Sequence, residues 1–381
     1  MELAQSPPHH IRLLKCITPL DWLFALALAV GAIYALQQFG DYMDVYEKGI
    51  LILTVPATAA IGWAWKPFRG FLLAAALIAL ASIALYQGDL ARAEKVFFLK
   101  YLISSQTAIM WMSALFFIAT GAYWVSVAAR SEFAARTGSF LTWAACVMGG
   151  AGLLVRWFES YLISPDVGHI PISNLYEVFV LFAVMTGLLY LYYEGHYRTR
   201  QMGAFVLVVI SASVGFLLWY TFTREAHEIQ PLIPALQSYW MKIHVPANFI
   251  GYGAFALAAM VGVAYLLAER GILASRLPAP EVLDDVMYRA IAIGFAFFTI
   301  ATILGALWAA EAWGTYWQWD PKETWALIVW LNYAAWLHIR LTKGLRGRML
   351  AWWAVVGLVV TSFAFLGVNM FLSGLHSYGS L

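Results

Sequence analysis

The stretch WGTYWQWDPKETWALIVWLNYAAWLHIRL, residues 313–341, joins a polar segment rich in aromatic side chains to an apolar helix. Four indole rings and one phenol surround the polar segment: Trp313, Tyr316, Trp317, Trp319 and Trp325. Such rings collect at membrane interfaces, where they anchor a helix. They also present flat, polarisable faces, so a row of them can hold a flat apolar ligand such as a porphyrin. The rings alone leave both interpretations open.

The composition of the 381-residue chain predicts an integral membrane protein. Hydrophobic residues make up 62% of it and charged residues only 12%, whereas about a quarter of a typical soluble domain is charged. A formal net charge of +2 offers no basic surface for nucleic acid. Cys16 and Cys146 form no CxxC or CxxCH motif, so we expect no structural zinc, no redox dithiol and no self-attached haem.

Apolar runs long enough to cross a bilayer predict an all-α polytopic membrane protein with about eleven transmembrane helices. The second and third runs are short and closely joined, so a re-entrant pair is an alternative for them. The first run has no cleavage pattern, and we expect it to be retained. The predicted spans are 17–38, 50–65, 69–87, 106–129, 139–156, 174–194, 203–222, 244–268, 287–310, 322–341 and 349–372.

The positions of Lys and Arg predict the orientation, because cytoplasmic loops carry the excess of positive charge. Fifteen of the 23 Lys and Arg residues fall in one alternating set of turns, which begins with Arg12 and Lys15. We therefore expect a cytoplasmic amino terminus and a periplasmic carboxyl terminus. The aromatic segment and the loops 157–173 and 223–243 then lie at the outer face of the membrane.

Three histidines are candidate iron ligands. His244 and His376 both lie near helix ends at the predicted outer face, on either side of the aromatic segment, where two imidazoles can supply both axial ligands of a haem. The alternative is that they are interfacial histidines bonded to water or carbonyls. His338 lies about 27 Å along the helix from Asp320, at a rise of 1.5 Å per residue. An ionisable group at that depth is a functional candidate, although a side chain near a helix end can also reach the interface.

Other polar residues have structural explanations. In DPKE, Asp320 and Glu323 predict a capping box with Pro321 in the first turn. Asn174 and Glu177 predict a second capping arrangement at the start of another span. Glu159 has no partner that the sequence shows. The chain contains no catalytic triad arrangement, phosphate loop or metalloprotease helix.

The Trp-rich segment closely resembles the WWD signature of haem-handling proteins, and the form WDPKETWAL resembles the CcsA/ResC branch, often labelled CcsB in bacteria. LIPALQSYWMKIHVPANFIGYGAF, PISNLYEVFVLF and GLHSYG are also similar to that family. The resemblance covers the chain from Ser105 onward. It implies a haem-handling core of about eight helices at 105–381, with the WWD loop at 308–325. Residues 1–104 are then an amino-terminal membrane extension of about three helices.

The resemblance implies a subunit of the System II cytochrome c synthase, or haem lyase, in the bacterial cytoplasmic (inner) membrane. Such a subunit moves haem b outward and presents it at the periplasmic face for attachment to the CxxCH of apocytochrome c. His338 matches the intramembrane haem ligand, and His244 and His376 match the external ligands. The matched WWD site comprises Asp320 and the aromatic residues Trp313, Tyr316, Trp317, Trp319 and Trp325. A CcsB/ResB-type partner is expected to supply the second intramembrane His, and thioredoxin-like partners to keep the acceptor thiols reduced.

Two other functions remain open at this stage. A haem exporter or carrier without synthase activity needs the same ligands, so only the formation of covalent haem separates it from a synthase. A membrane b-type electron-transfer protein needs two His facing each other within the bilayer, and this chain supplies only His338 at that depth.

Overall fold

The computed structural model describes residues 17–375, and all of its regular elements over that range are helices. Each predicted span corresponds to one long helix, which confirms the all-α polytopic class. The long helices are α1 (Pro19–Phe39), α2 (Val45–Ala64), α3 (Pro67–Tyr86), α4 (Ser105–Ala129), α5 (Glu132–Ile163), α6 (Leu175–Tyr197), α7 (Gly203–Arg224), α8 (Tyr239–Glu269), α9 (Pro280–Trp313), α10 (Pro321–Lys343) and α11 (Arg348–Phe371).

Within residues 17–375, ten helices are long and apolar enough to cross a membrane. The exception is α10, whose first and last turns carry charged side chains. At 1.5 Å per residue its 23 residues extend for about 34 Å, which is sufficient for a hydrocarbon core of about 30 Å. The crossing by α10 and the orientation of the termini stay predictions.

The contacts divide the chain into two compact units between Ala74 and Ala75, inside α3. In the first unit, the carboxylate of Asp21 is buried and pairs with Arg69, while its carbonyl accepts a hydrogen bond of 2.9 Å from Trp63 Nε1. The Trp63 hydrogen bond joins α2 to α1 and the Arg69 ion pair joins α3 to α1, although α1 and α2 are largely exposed. The predicted division at 104/105, which rests on the resemblance, stays a prediction.

In the second unit, α8 lies in the core and packs against α6, α7, α9 and α11. Gly251 and Gly253 let neighbouring helices approach α8 closely. A Cβ at Gly251, for example, would lie only 3.1 Å from the side chain of Phe298 on α9. Further along α8, Phe255 stacks on Tyr333 of α10 with ring centroids 3.6 Å apart. This packing places the second turn of α8, which carries the candidate ligand His244, beside α9.

Several buried charged side chains in the second unit are ion-paired or hydrogen-bonded, which lowers the cost of burying them. The guanidinium of Arg156 bonds Glu177 at 2.8 Å, and Arg340 binds both carboxylate oxygens of Asp284. Glu159 does have partners, because Tyr86 donates its hydroxyl at 2.5 Å and the Ser105 backbone donates at 3.0 Å. These ion pairs and hydrogen bonds link different helices, and the local sequence does not reveal which residues are partners. The Arg156–Glu177 pair joins α5 to α6, the Asp284–Arg340 pair joins α9 to α10, and Glu159 joins α5 to α3 and α4.

Candidate functional site

A cavity of about 710 Å³ lies among the first turns of α8 and α10, the last turns of α9 and α11, and the segments 172–175 and 230–236. Its volume falls in the range of about 300–1,000 Å³ that is typical of ligand sites. The predicted site residues His244, Trp313, Tyr316 and Trp317 all line it. The structure therefore brings together a histidine and three aromatic side chains that are up to 73 positions apart in sequence, the separation of His244 and Trp317.

His244 is oriented by α9. Its Nδ1 lies 2.8 Å from the carbonyl oxygen of Ala301, and since a carbonyl only accepts, Nδ1 carries the proton and donates it. The lone pair is then on Nε2, the tautomer that histidines adopt when Nε2 binds a metal. The ring also lies edge-on to Trp308, with centroids 5.7 Å apart. The position of Gly305, beside the imidazole, makes room for it.

The aromatic segment divides into cavity-lining and outward rings. Trp313 and Trp317 are half-buried in the cavity wall, and Tyr316 lines it while remaining 64% exposed. Trp319 is 68% exposed, stands outside the wall and meets Trp317 edge-on at 5.9 Å. Trp325 packs on Phe363 of α11 at 4.3 Å, also outside the wall. The roles assigned to Trp319 and Trp325 stay predictions.

Asp320 caps α10 and also contacts the end of the described chain. Its Oδ1 accepts the backbone N–H of Lys322 at 2.9 Å, and its Oδ2 accepts that of Leu375 at 2.7 Å. Glu323 completes the predicted capping box, which the structure confirms. The predicted ligand His376 follows Leu375 in sequence and lies outside the described residues, so its role stays a prediction.

His338 is not part of the cavity. It lies near the other end of α10 on an exposed face that also carries Ile328, Leu331 and Leu341. The buried face of the same helix carries Tyr333 and Trp336. The structure thus separates His338 from His244, and the intramembrane ligand role of His338 stays a prediction.

The sequence did not identify three side chains that shape the cavity. Trp308 lines the wall and donates from Nε1 to the Ala235 carbonyl at 3.0 Å, which joins α9 to the loop before α8. Arg156 donates to the carbonyls of His227 and Glu228 and so supports the segment that leads to Gln230 in the wall. Lys322 also lines the cavity. Local sequence contains no signal for Trp308, because it lies on a long apolar helix whose cavity face and lipid face have the same composition.

The fold and the cavity define a polytopic helical membrane protein with an aromatic cavity that contains a histidine. The family model described as Cytochrome C assembly protein matches residues 172–376, more than half of the chain. The chain therefore belongs to the cytochrome c assembly protein family, and within it to the CcsA group, as the Trp-rich segment predicted. Its role lies in cytochrome c maturation.

Three relatives illustrate the similarity. The cytochrome c biogenesis protein CcsA of Chlamydomonas reinhardtii is 40% identical, with a match that spans 60% of this chain and 64% of that protein. CcsA of Parasynechococcus marenigrum is 38% identical over 60% of this chain and 81% of its own length. CcsA of Synechococcus sp. strain RCC307 is 34% identical over 71% of this chain and 94% of its own length.

A solved structure shares the fold. The cytochrome c haem lyase CcmF aligns with a TM-score of 0.55 and 17% sequence identity. The alignment covers 70% of this chain and 49% of CcmF, so this chain spans about half of that protein.

Proposed function

We propose that this chain is the haem-handling subunit of a System II cytochrome c synthase in the bacterial inner membrane. It carries haem b from the cytoplasmic side to the periplasmic cavity and presents it there for thioether attachment to the CxxCH segment of apocytochrome c. The orientation of His244 is the observation that carries this proposal. Its Nδ1–H is bound by the Ala301 carbonyl, which leaves Nε2 as the iron-binding nitrogen in an aromatic cavity.

In this mechanism the protein acts by positioning its ligand. His244 supplies one axial nitrogen, His376 is proposed to supply the other, and Trp313, Tyr316 and Trp317 contact the flat macrocycle. A cysteine thiol of the acceptor then adds across each vinyl group. The S–H and vinyl π bonds break while C–S and C–H bonds form, so the iron keeps its oxidation state. The histidine of CxxCH finally replaces one external ligand.

The exposed face of α10 supports the proposed intramembrane step. His338 lies there among apolar side chains, where its imidazole is accessible to another membrane subunit rather than to the cavity. We assign this face to the CcsB/ResB-type partner, which supplies a second imidazole for the incoming haem. Thioredoxin-like partners keep the acceptor cysteines reduced, since only thiols add to the vinyl groups.

Absorption spectra of the purified, reduced protein test the ligand assignment. We expect His244→Ala and His376→Ala to abolish the low-spin haem spectrum of the outer site, and His338→Ala to lower the amount of haem that reaches it. His196→Ala is the matched control, because His196 is exposed and does not line the cavity. A normal low-spin spectrum in the double variant of His244 and His376 would refute the proposal.

Co-expression separates a synthase from a carrier. The chain is produced with a ResB-like partner and an apocytochrome, and covalent haem is measured by its resistance to acid-acetone extraction. Covalent haem that depends on His244 supports the synthase. Full occupancy of the outer site without covalent haem would instead favour the exporter or carrier.

A further inference from the structure

Lys322 is the one Lys or Arg among the described residues that line the cavity. It lies in the first turn of α10, and its ammonium forms no hydrogen bond or ion pair with any of residues 17–375. Its described contact is with the face of Phe365, 6.0 Å from Nζ to the ring centroid. A cation in a mostly apolar wall without an anionic partner is costly unless a ligand supplies the partner.

Asp320 lies near enough to interact electrostatically with this ammonium, but neither Asp320 nor Glu323 forms an ion pair or hydrogen bond with it. Both oxygens of Asp320 accept backbone N–H groups, from Lys322 itself and from Leu375. Glu323 Oε2 accepts the backbone N–H groups of Gln318 and Asp320, and its Oε1 has no hydrogen-bond partner within residues 17–375. Glu323 and Lys322 both line the cavity, but no ion pair or hydrogen bond joins the two described side chains. The capping box thus holds the two acids and leaves the lysine available to the cavity.

We propose that Lys322 binds a carboxylate of the cavity ligand and so determines which edge of a tetrapyrrole faces the acceptor. This inference rests on the proposed function and deepens it. Haem b carries both propionates on one edge and both vinyl groups on the opposite side of the macrocycle. An ion pair at the first turn of α10, reinforced by the positive end of the helix dipole, turns the vinyl edge away from α10.

The test compares haem with its dimethyl ester, two probes that differ only at the propionate edge, where esterification removes both negative charges. Both are titrated into reduced, detergent-solubilised protein in a His338→Ala background, so that absorption reports the outer cavity. We expect the parent protein to bind haem about tenfold more tightly than the ester, since a charged hydrogen bond contributes about 1.4 kcal/mol or more. Lys322→Gln should remove this preference by weakening haem binding while leaving the ester affinity unchanged.

Two further variants make the result specific. Lys322→Arg should retain the preference for haem, because it keeps the positive charge at the same place. Lys343→Gln is the matched control, since Lys343 is an exposed lysine at the other end of α10. Equal affinity for the two probes in the parent protein, or an equal loss for both in Lys322→Gln, would overturn the inference. Failure of the proposed function has a different signature, because neither probe would then give a low-spin spectrum that depends on His244.

Discussion

Replacing Gly305 by Ala tests whether the observed orientation of His244 is the one that binds iron. A Cβ at Gly305 would lie 2.9 Å from His244 Cε1 and 3.2 Å from Nδ1. Carbon atoms pack without strain at about 3.5–4.0 Å, so the imidazole must shift by about 0.5 Å or more. Because the nearest atoms belong to the ring itself, the added methyl group displaces the ligand directly.

The displacement affects both ring nitrogens. Nδ1 moves relative to the Ala301 carbonyl, whose 2.8 Å hydrogen bond weakens beyond about 3.2 Å. Nε2 moves with the ring, whereas metal–ligand distances tolerate deviations of only about 0.2 Å. Overpacking of this kind costs about 1–3 kcal/mol. We therefore expect haem affinity at the outer site to fall about five- to 150-fold.

Gly215→Ala is the matched control, because a Cβ on this α7 glycine meets nothing within 4 Å. Both substitutions replace a helical glycine and should stabilise the helix by roughly 0.5–1 kcal/mol. Haem titration of the reduced protein, with absorption as the readout, then isolates the effect on the imidazole. If Gly305→Ala bound haem with the affinity and spectrum of Gly215→Ala, His244 would not be an iron ligand in this orientation.

Three other substitutions test the surroundings of the cavity. Trp308→Phe keeps a ring beside the imidazole but loses the indole hydrogen bond to the neighbouring loop, so we expect about 1 kcal/mol lower thermal stability. Asp320→Asn retains a good helix cap, yet its amide nitrogen cannot accept the Leu375 N–H, and limited proteolysis should release the carboxyl terminus faster. Arg156→Met leaves Glu177 buried without its cation, which should cost about 3–5 kcal/mol in a denaturation assay.

A specific result would contradict each of these three predictions. Unchanged melting of Trp308→Phe would mean that the indole contact contributes nothing. Equal proteolysis of Asp320→Asn and the parent protein would remove the link to the terminal segment. For the buried pair, the additional replacement of Glu177 by Gln should recover part of the stability lost in Arg156→Met. A purely additive loss would show that the two side chains are not coupled.

Local sequence was sufficient to predict the helices but not to predict where each of them begins and ends. The span predicted at 322–341 agrees with α10, because an apolar run and a capping box are both encoded within a few residues. The span predicted at 139–156 is too short, since α5 extends over Glu132–Ile163. The hydropathy pattern placed the end of this predicted span at Arg156, but the charge of Arg156 is neutralised by Glu177 on another helix. A tertiary partner therefore decides whether a charged residue ends a membrane helix.

The same limit applies to the site. The aromatic segment pointed to His244, and the structure places both in one wall. The residues that orient the imidazole, Ala301, Gly305 and Trp308, lie on α9, whose long apolar sequence does not distinguish a cavity face from a lipid face. Hydropathy records only that all three positions are compatible with a membrane helix, so their contact with His244 needed coordinates.

The two proposed haem positions differ in their access as well as in their depth. The first turn of α10 contributes Lys322 to the cavity, whereas His338 lies on the exposed face of the same helix, about 24 Å away along its axis. Because His338 does not line the cavity, a ligand bound there does not reach His244 through that chamber alone. In the proposed function, transfer between the two positions then follows the exposed face of α10. The surface is apolar, so a second subunit that covers it would form the other wall of the route and shield the macrocycle from lipid. The proposed partner would then have a second role besides supplying an imidazole, because this chain provides only one side of the path.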